Sequence, residues 1–141
     1  MLLKDYLKDH KVYNRNLIDI HSGGTFKYLY CGNERMAGRF YVDGDDTIEV
    51  RTVKAKTDKE AIIKIMLDIE FLLCNNEDEL RNEIEENFDV SLDDVTADRM
   101  LDFLEQIDVD SGAPFVFWIK KNNNEVFDMG LDPDEWNEDP L

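Results

Sequence analysis

Residues 57–74, TDKEAIIKIMLDIEFLLC, decide the fold, because no other stretch of the chain is long, apolar and well capped enough to occupy its centre. Thr57 followed three residues later by Glu60 is a capping box, in which each side chain satisfies a backbone N–H left free at a helix start. Ile62, Ile65, Met66, Ile69, Leu72 and Leu73 recur at i, i+3, i+4 and i+7. Ile63, Leu67 and Phe71 widen that apolar surface until only Glu60, Lys64 and Asp68 remain as a polar strip. The stretch therefore reads as one helix from about Asp58 to Cys74 that must be covered on most sides.

Upstream of it the pattern changes period. Asn16 to Ile20 and Thr25 to Cys31 are β-rich runs separated by His21-Ser22-Gly23-Gly24, whose glycines supply the positive φ of a tight hairpin. Phe26, Tyr28 and Tyr30 alternate with Lys27 and Leu29, which makes one strand face aromatic and suited to packing over the central helix. Arg39 to Val42 and Thr47 to Lys54 read as a second hairpin across Asp43-Gly44-Asp45-Asp46. Before these, Leu2 to Asp9 forms a short amphipathic helix with Leu3, Tyr6 and Leu7 on one side.

Downstream, Asn75 to Phe88 carries a narrow stripe of Leu80, Ile84 and Phe88 on an otherwise charged helix. Ser91, with Asp94 closing its cap, opens a further helix to about Ile107 that buries Val95, Met100, Phe103, Leu104 and Ile107. Residues 114–120, PFVFWIK, and 125–129, EVFDM, form a last hairpin across Lys121-Asn122-Asn123-Asn124, with Phe115, Phe117 and Ile119 on one face and Val116 and Trp118 on the other. The expected class is α+β: an antiparallel sheet of hairpins packed on a buried central helix, with an acidic helical cap. Residues 1–131 make one domain, and residues 132–141, with two prolines and five acidic residues, make an acidic tail.

A chain of 141 residues, 43% of them hydrophobic, buries enough surface for a single domain without staples. Cys31 and Cys74 are too few for a disulfide framework, and the charged start MLLKDYLKDHK lacks the apolar run of a signal peptide, so the expected compartment is the host cytoplasm. No run of about 18 apolar residues is present to span a membrane.

Catalytic patterns fail one after another. His10, His21, Cys31 and Cys74 lie singly in different elements, not in the grouped spacing of zinc ligands, and Cys74 sits on the apolar helix where packing explains it better than nucleophilic chemistry. The glycine turn at Gly23-Gly24 has no lysine of a phosphate-binding loop. Asp43 or Asp46 followed by Glu49-Val50-Arg51 loosely resembles the carboxylate pattern of magnesium nucleases, but arginine stands where a lysine is needed. Asp108, Asp110 and Gly112 miss the spacing of a calcium loop. The expectation is no catalytic residue, no metal and no cofactor.

What the sequence does carry is charge. Residues 1–60 hold 11 Lys+Arg against 10 Asp+Glu, whereas residues 61–141 hold 5 against 23, so the whole net charge of −17 lies in the second half. Such a field repels nucleic acid and anionic membrane and steers the protein toward basic surfaces. Asp94, Asp98, Asp102 and Glu105 recur at i, i+4, i+8 and i+11, which spaces carboxylates about 5–6 Å apart along a helix. Like charges so placed cost a few tenths of a kcal/mol per pair. With Glu83 and Glu86 on the preceding helix, they read as an array of negative charge able to occupy a site built for DNA phosphates.

In size, acidity, sheet-plus-helix pattern and abundance of Asn, Asp, Lys and Tyr, the chain resembles the small accessory proteins of bacteriophages and mobile elements, among them anti-CRISPR and antirestriction proteins. The resemblance implies inhibition of a host nucleic-acid-binding defence enzyme, such as a CRISPR effector nuclease or a restriction enzyme, by covering its basic DNA groove. The residues of that contact are expected to be Glu83, Glu86, Asp94, Asp98, Asp102 and Glu105. The alternative is a toxin-neutralising immunity protein that uses the hairpin around Trp118.

Overall fold

The computed structural model describes residues 22–32, 35–36, 39–40, 48–106 and 114–128, and everything that follows concerns those residues. The elements in chain order are strands β1 (Gly24–Cys31), β2 (Arg35–Met36), β3 (Arg39–Phe40) and β4 (Ile48–Ala55), then helix α1 (Asp58–Asp68). A 3-10 turn at Phe71–Leu73, helix α2 (Glu77–Phe88), a 3-10 turn at Leu92–Asp94 and helix α3 (Ala97–Leu104) come next. Strands β5 (Phe115–Lys121) and β6 (Asn124–Asp128) complete them. The fold is α+β, as the hydrophobic periodicity implies.

The main sheet is antiparallel in the order β4-β1-β5-β6, which differs from the expected run of hairpins. β1 pairs with β4 along its whole length, from Gly24 opposite Ala55 to Cys31 opposite Ile48. Its other edge is taken by β5. The run Asn16 to Ile20, like the helix at Leu2 to Asp9, lies outside the described residues. Within the described residues the hairpin expected between Arg39 to Val42 and Thr47 to Lys54 is not seen: Arg39–Phe40 pairs with Arg35–Met36 while β4 joins β1. The aromatic face of β1 outcompetes local pairing, because only a sheet built on β1 can carry Phe26 and Tyr28 against the central helix. The β5–β6 hairpin does form, across a tighter turn than expected, with Asn122 and Asn123 both at positive φ. The pairing of β5 with β1 slips by one residue, setting Val116 opposite Tyr30 and Phe115 opposite Cys31. Simple alternation of Phe115, Phe117 and Ile119 therefore stops at the irregularity, and Phe115, Val116 and Phe117 are all buried.

α1 packs on the face that presents Phe26, Tyr28, Val53 and Ile119, with α2 and α3 covering its other sides. Its start is capped by Thr57 as expected, Glu60 N–H donating to Thr57 Oγ1 at 3.0 Å, while the Glu60 carboxylate reaches back one residue further than a capping box requires and accepts from Lys56 N–H at 3.0 Å. Ile62, Ile65, Met66 and Ile69 are buried, each contributing about 1.5–3 kcal/mol by removal from water.

The helix ends earlier than its apolar run. Asp68 is its last residue and Ile69 its cap, and Glu70, Leu72 and Leu73 all take positive φ. This hook turns Phe71 and Cys74 into the core and leaves Leu73 78% exposed. Ser91 does not open the expected helix to Ile107: its side chain caps nothing, and only a single 3-10 turn follows it. α3 starts at Thr96 instead, with Arg99 N–H donating to Thr96 Oγ1 at 3.1 Å. Phe88, at the end of α2, stacks on Phe103 of α3 with ring centroids 4.1 Å apart.

Candidate functional site: the acidic helices and two ionic clasps

The central polar strip is consumed by structure. Glu60 caps its own helix, Lys64 Nζ donates to Lys54 O at 3.1 Å, and Asp68 sits at the centre of a clasp. Arg51 Nη1 reaches both Asp68 oxygens, at 2.8 and 2.7 Å, while Tyr28 Oη donates to Asp68 Oδ2 at 3.1 Å. The same guanidinium donates to Glu49 at 2.7 Å and lies 3.6 Å over the Tyr30 ring. Burial, and then the Asp68 carboxylate, push the Tyr28 hydroxyl well above its ordinary value near 10. Burial also raises Tyr30, against an opposing effect from Arg51. For Arg51, burial alone would lower the pKa, but its bonds to Asp68 and Glu49 outweigh this and the guanidinium is held more tightly charged.

A second clasp closes the other end of α1. Asp58 is fully buried; its Oδ1 accepts from Gly23 N–H at 2.9 Å and lies 2.8 Å from Lys121 Nζ. Ser22 Oγ lies 3.0 Å from both Asp58 oxygens, and Lys121 Nζ also donates to Ser22 Oγ. Gly23, at φ +69°, leaves no room for a side chain, since a Cβ would lie 2.3 Å from Lys56 O. The three groups could suggest a serine–lysine hydrolase, but a lysine ion-paired to a buried carboxylate has no lone pair with which to take a proton. Both clasps are structural.

The acidic helices are the remaining candidate, and the expected contact residues divide among several elements. Asp98, Asp102 and Glu105 stand at successive turns of α3 and its cap, half-buried, with Asp102 paired to Arg99 at 3.2 Å. Asp94 is exposed but belongs to the 3-10 turn, because Val95 is extended; the four-carboxylate row on one helix is therefore broken at its first member. On α2, Glu83 is half-buried and accepts from Asn87 Nδ2 at 3.1 Å, whereas Glu86 is exposed. Glu83 and Glu79 also lie near buried Cys74, whose thiol is pushed up by burial first and then by those carboxylates.

Beyond the expected six, Glu77, Asp78, Asp89 and Asp93 also face solvent on the same segment. Asp78, Asn82 and Glu86 stand one turn apart along α2, all exposed, and Asp89 follows at the C-cap with φ 54°. Asp93 is exposed too but is paired to Arg81 at 2.9 Å. Glu79 and Glu85 are occupied by Asn75 N–H and Leu92 N–H. Glu77, Asp78, Glu86, Asp89 and Asp94, like Glu79, are exposed carboxylates here that no cation approaches within salt-bridge distance among the described residues. The i, i+4, i+8 row at 78, 82 and 86 was visible in the sequence as a full period of the helix face opposite Leu80 and Ile84.

Among the described residues, no three His, Cys, Asp or Glu side chains come together to hold a metal, and no helix is long and apolar enough to cross a membrane. Asp43 and Asp46 lie outside the described residues, while Glu49 and Arg51 are engaged in the Asp68 clasp. No protein-family model, curated protein or solved structure matches the chain.

Proposed function

We propose that the protein is a phage-type inhibitor that binds a host nucleic-acid-binding defence enzyme, a CRISPR effector nuclease or restriction enzyme, and blocks its basic groove with an acidic surface that mimics DNA phosphates. The observation that supports this is a group of exposed carboxylates without a cation, Asp78, Glu86, Asp89 and Asp94 among them, on a helix and turn anchored in the core through Leu80, Ile84 and Leu92. A rigid array loses little entropy on binding, and lysines or arginines of the partner would replace the counterions it now attracts. Asp98, Asp102 and Glu105 extend the array onto α3 in this reading, with Glu83 at its margin. The alternative, an immunity protein contacting its toxin through the hairpin around Trp118, draws less support, since Phe115, Val116, Phe117 and Ile119 are committed to the core.

The test is target-DNA binding by purified CRISPR effector and restriction nucleases, with and without the protein. Inhibition is expected for at least one enzyme class, weakening with salt and with excess competitor DNA. Replacing Asp78, Glu86, Asp89 and Asp94 together by Lys should abolish it while leaving the circular dichroism spectrum unchanged. An inhibitor that retains full potency with those four lysines would refute the acidic-surface reading. Direct binding of the wild-type protein to DNA in a gel shift would refute it equally.

A further inference from the structure

β4 is an edge strand, and the direction in which its backbone groups point can be worked out from its neighbours. Thr25 donates its N–H to Asn122 Oδ1 at 3.1 Å and accepts at its C=O from Asn122 N–H at 2.8 Å, so both its backbone groups turn toward the β5–β6 turn and away from β4. Lys54, opposite Thr25, therefore occupies a non-hydrogen-bonded position of the β1–β4 ladder and points its N–H and C=O outward. The bond from Lys64 Nζ to Lys54 O, reaching that carbonyl from the helix, agrees with this. The β1–β4 register is regular from end to end, so the backbone groups of Thr52, Val50 and Ile48 face the free edge as well. Lys64 guards the edge at Lys54; among the described residues nothing pairs with it from Ile48 to Thr52.

At the middle of that open segment stands Val50, 54% exposed, an apolar β-former next to exposed Glu49 and Thr52. Its neighbours are Glu49 and Arg51, one of each sign, one residue to either side. An antiparallel pairing of two copies about a two-fold axis through Val50 sets Val50 against Val50, Ile48 against Thr52, and Glu49 of each copy against Arg51 of the other. The guanidinium is only partly used: Nε holds its own Glu49 and Nη1 holds Asp68, leaving Nη2 for a carboxylate from across the axis. Lys54 and the Lys64 that caps it fall outside the five paired residues. Any register shifted toward the C-terminal end would run into them.

We propose that the protein forms an isologous homodimer by antiparallel pairing of the β4 edges over residues 48–52, centred on Val50, joining the two sheets into one continuous sheet. The strand's self-complementary charge and the lysine guard on the rest of the edge select a second copy of this chain over an unrelated strand.

Sedimentation equilibrium and hydrogen exchange on the full chain test it. The wild type should move with rising concentration from the 16.5 kDa monomer to twice that mass, and the amides of Val50 and Thr52 should become protected over the same range. V50K sets two ammonium groups against each other on the axis and should remain monomeric with an unchanged circular dichroism spectrum. E49R sets arginine against Arg51 of the other copy and should weaken the dimer at least about tenfold. Because the proposal does not depend on the acidic helices, V50K should still bear an intact acidic surface. A wild type that stays at 16.5 kDa throughout, one that dimerises while the amides of Val50 and Thr52 exchange freely, or a dimer that survives V50K would overturn it.

Discussion

Truncating Asp58 to alanine should be among the most damaging single changes in the molecule, and its cost can be worked from the clasp. Asp58 is completely buried, and D58A removes in one step the partner of the Lys121 ammonium, the acceptor for Gly23 N–H and the acceptor for Ser22. Breaking a buried ion pair from one side costs about 3–5 kcal/mol, because the charge left behind is uncompensated. Lys121 keeps a 17% exposed side chain and can rotate partly toward water, which argues for the lower end, about 3 kcal/mol. Against a total stability of about 5–15 kcal/mol, that loss lowers the melting temperature by about 10 °C. Urea denaturation of D58A, K121A and the double variant measures it directly, with the slope against urea expected to stay constant. The double variant should cost less than the sum of the singles by about 1–3 kcal/mol, since each single strands the other's partner. A D58A cost below about 1 kcal/mol, or strict additivity, would show that water substitutes freely for the pair and that the burial argument is wrong.

The Tyr28 hydroxyl gives a pH signature. Its folded pKa lies above the ordinary value near 10, so the folded state holds the proton more tightly than the unfolded chain; this contribution is whole below pH 10 and is lost as the pH rises beyond it. Urea midpoints between pH 9 and pH 11 should fall more steeply for the wild type than for Y28F, by up to about 1.4 kcal/mol per pH unit; equal slopes would contradict the Asp68 clasp. Glu70 occupies the position after the α1 cap at φ 52°, so E70G should raise stability by about 0.5 kcal/mol in the same assay, and a clear loss would mean the left-handed turn carries no strain. Ile65 is fully buried at the centre of α1, and I65D should leave no cooperative unfolding transition at all.

The parts of the fold legible in sequence were those written in local chemistry: the Thr57 cap, the stripe Leu80-Ile84-Phe88, the Asn122-Asn123 turn and the apolar spacing that buries α1. The end of α1 was hidden because the chain turns left-handed at Glu70, Leu72 and Leu73 without spending a glycine there. Thr96 does not stand out as a cap in the sequence because Ser91, five residues earlier, is equally suited to the task by composition; the extended Val95 between them decides the matter. Strand order could not be read at all, since β1 would satisfy its edge equally well with a neighbour in sequence, and only the fit of Phe26 and Tyr28 under α1 selects β4 and β5. For the acidic surface, charge sign and helix face were visible, but which carboxylates would be spent on caps and clasps was not. Glu85 and Asp68 each found a donor that depends on tertiary packing, whereas Glu79 bonds locally to Asn75 N–H at the helix start.

The position of β5 between β1 and β6 also governs when this protein can fold. The strand that completes the sheet interior is synthesised only after α3, and the contacts at its end with the start of β1 span 97 residues at Thr25–Asn122 and 99 at Ser22–Lys121. Closing a loop of that length costs about 4 kcal/mol of chain entropy before any pairing repays it. While a ribosome is still making residues beyond α3, the β1–β4 ladder has one side of β1 open and α1 lies over an incomplete floor. Helices α1 to α3 can form early from local contacts, but the sheet must wait for β5, and the Asp58–Lys121 pair can lock only after that. A nascent chain stalled before Phe115 would therefore hold Phe26 and Tyr28 beside an unfilled strand position, the state in which such a protein is most exposed to aggregation and proteolysis.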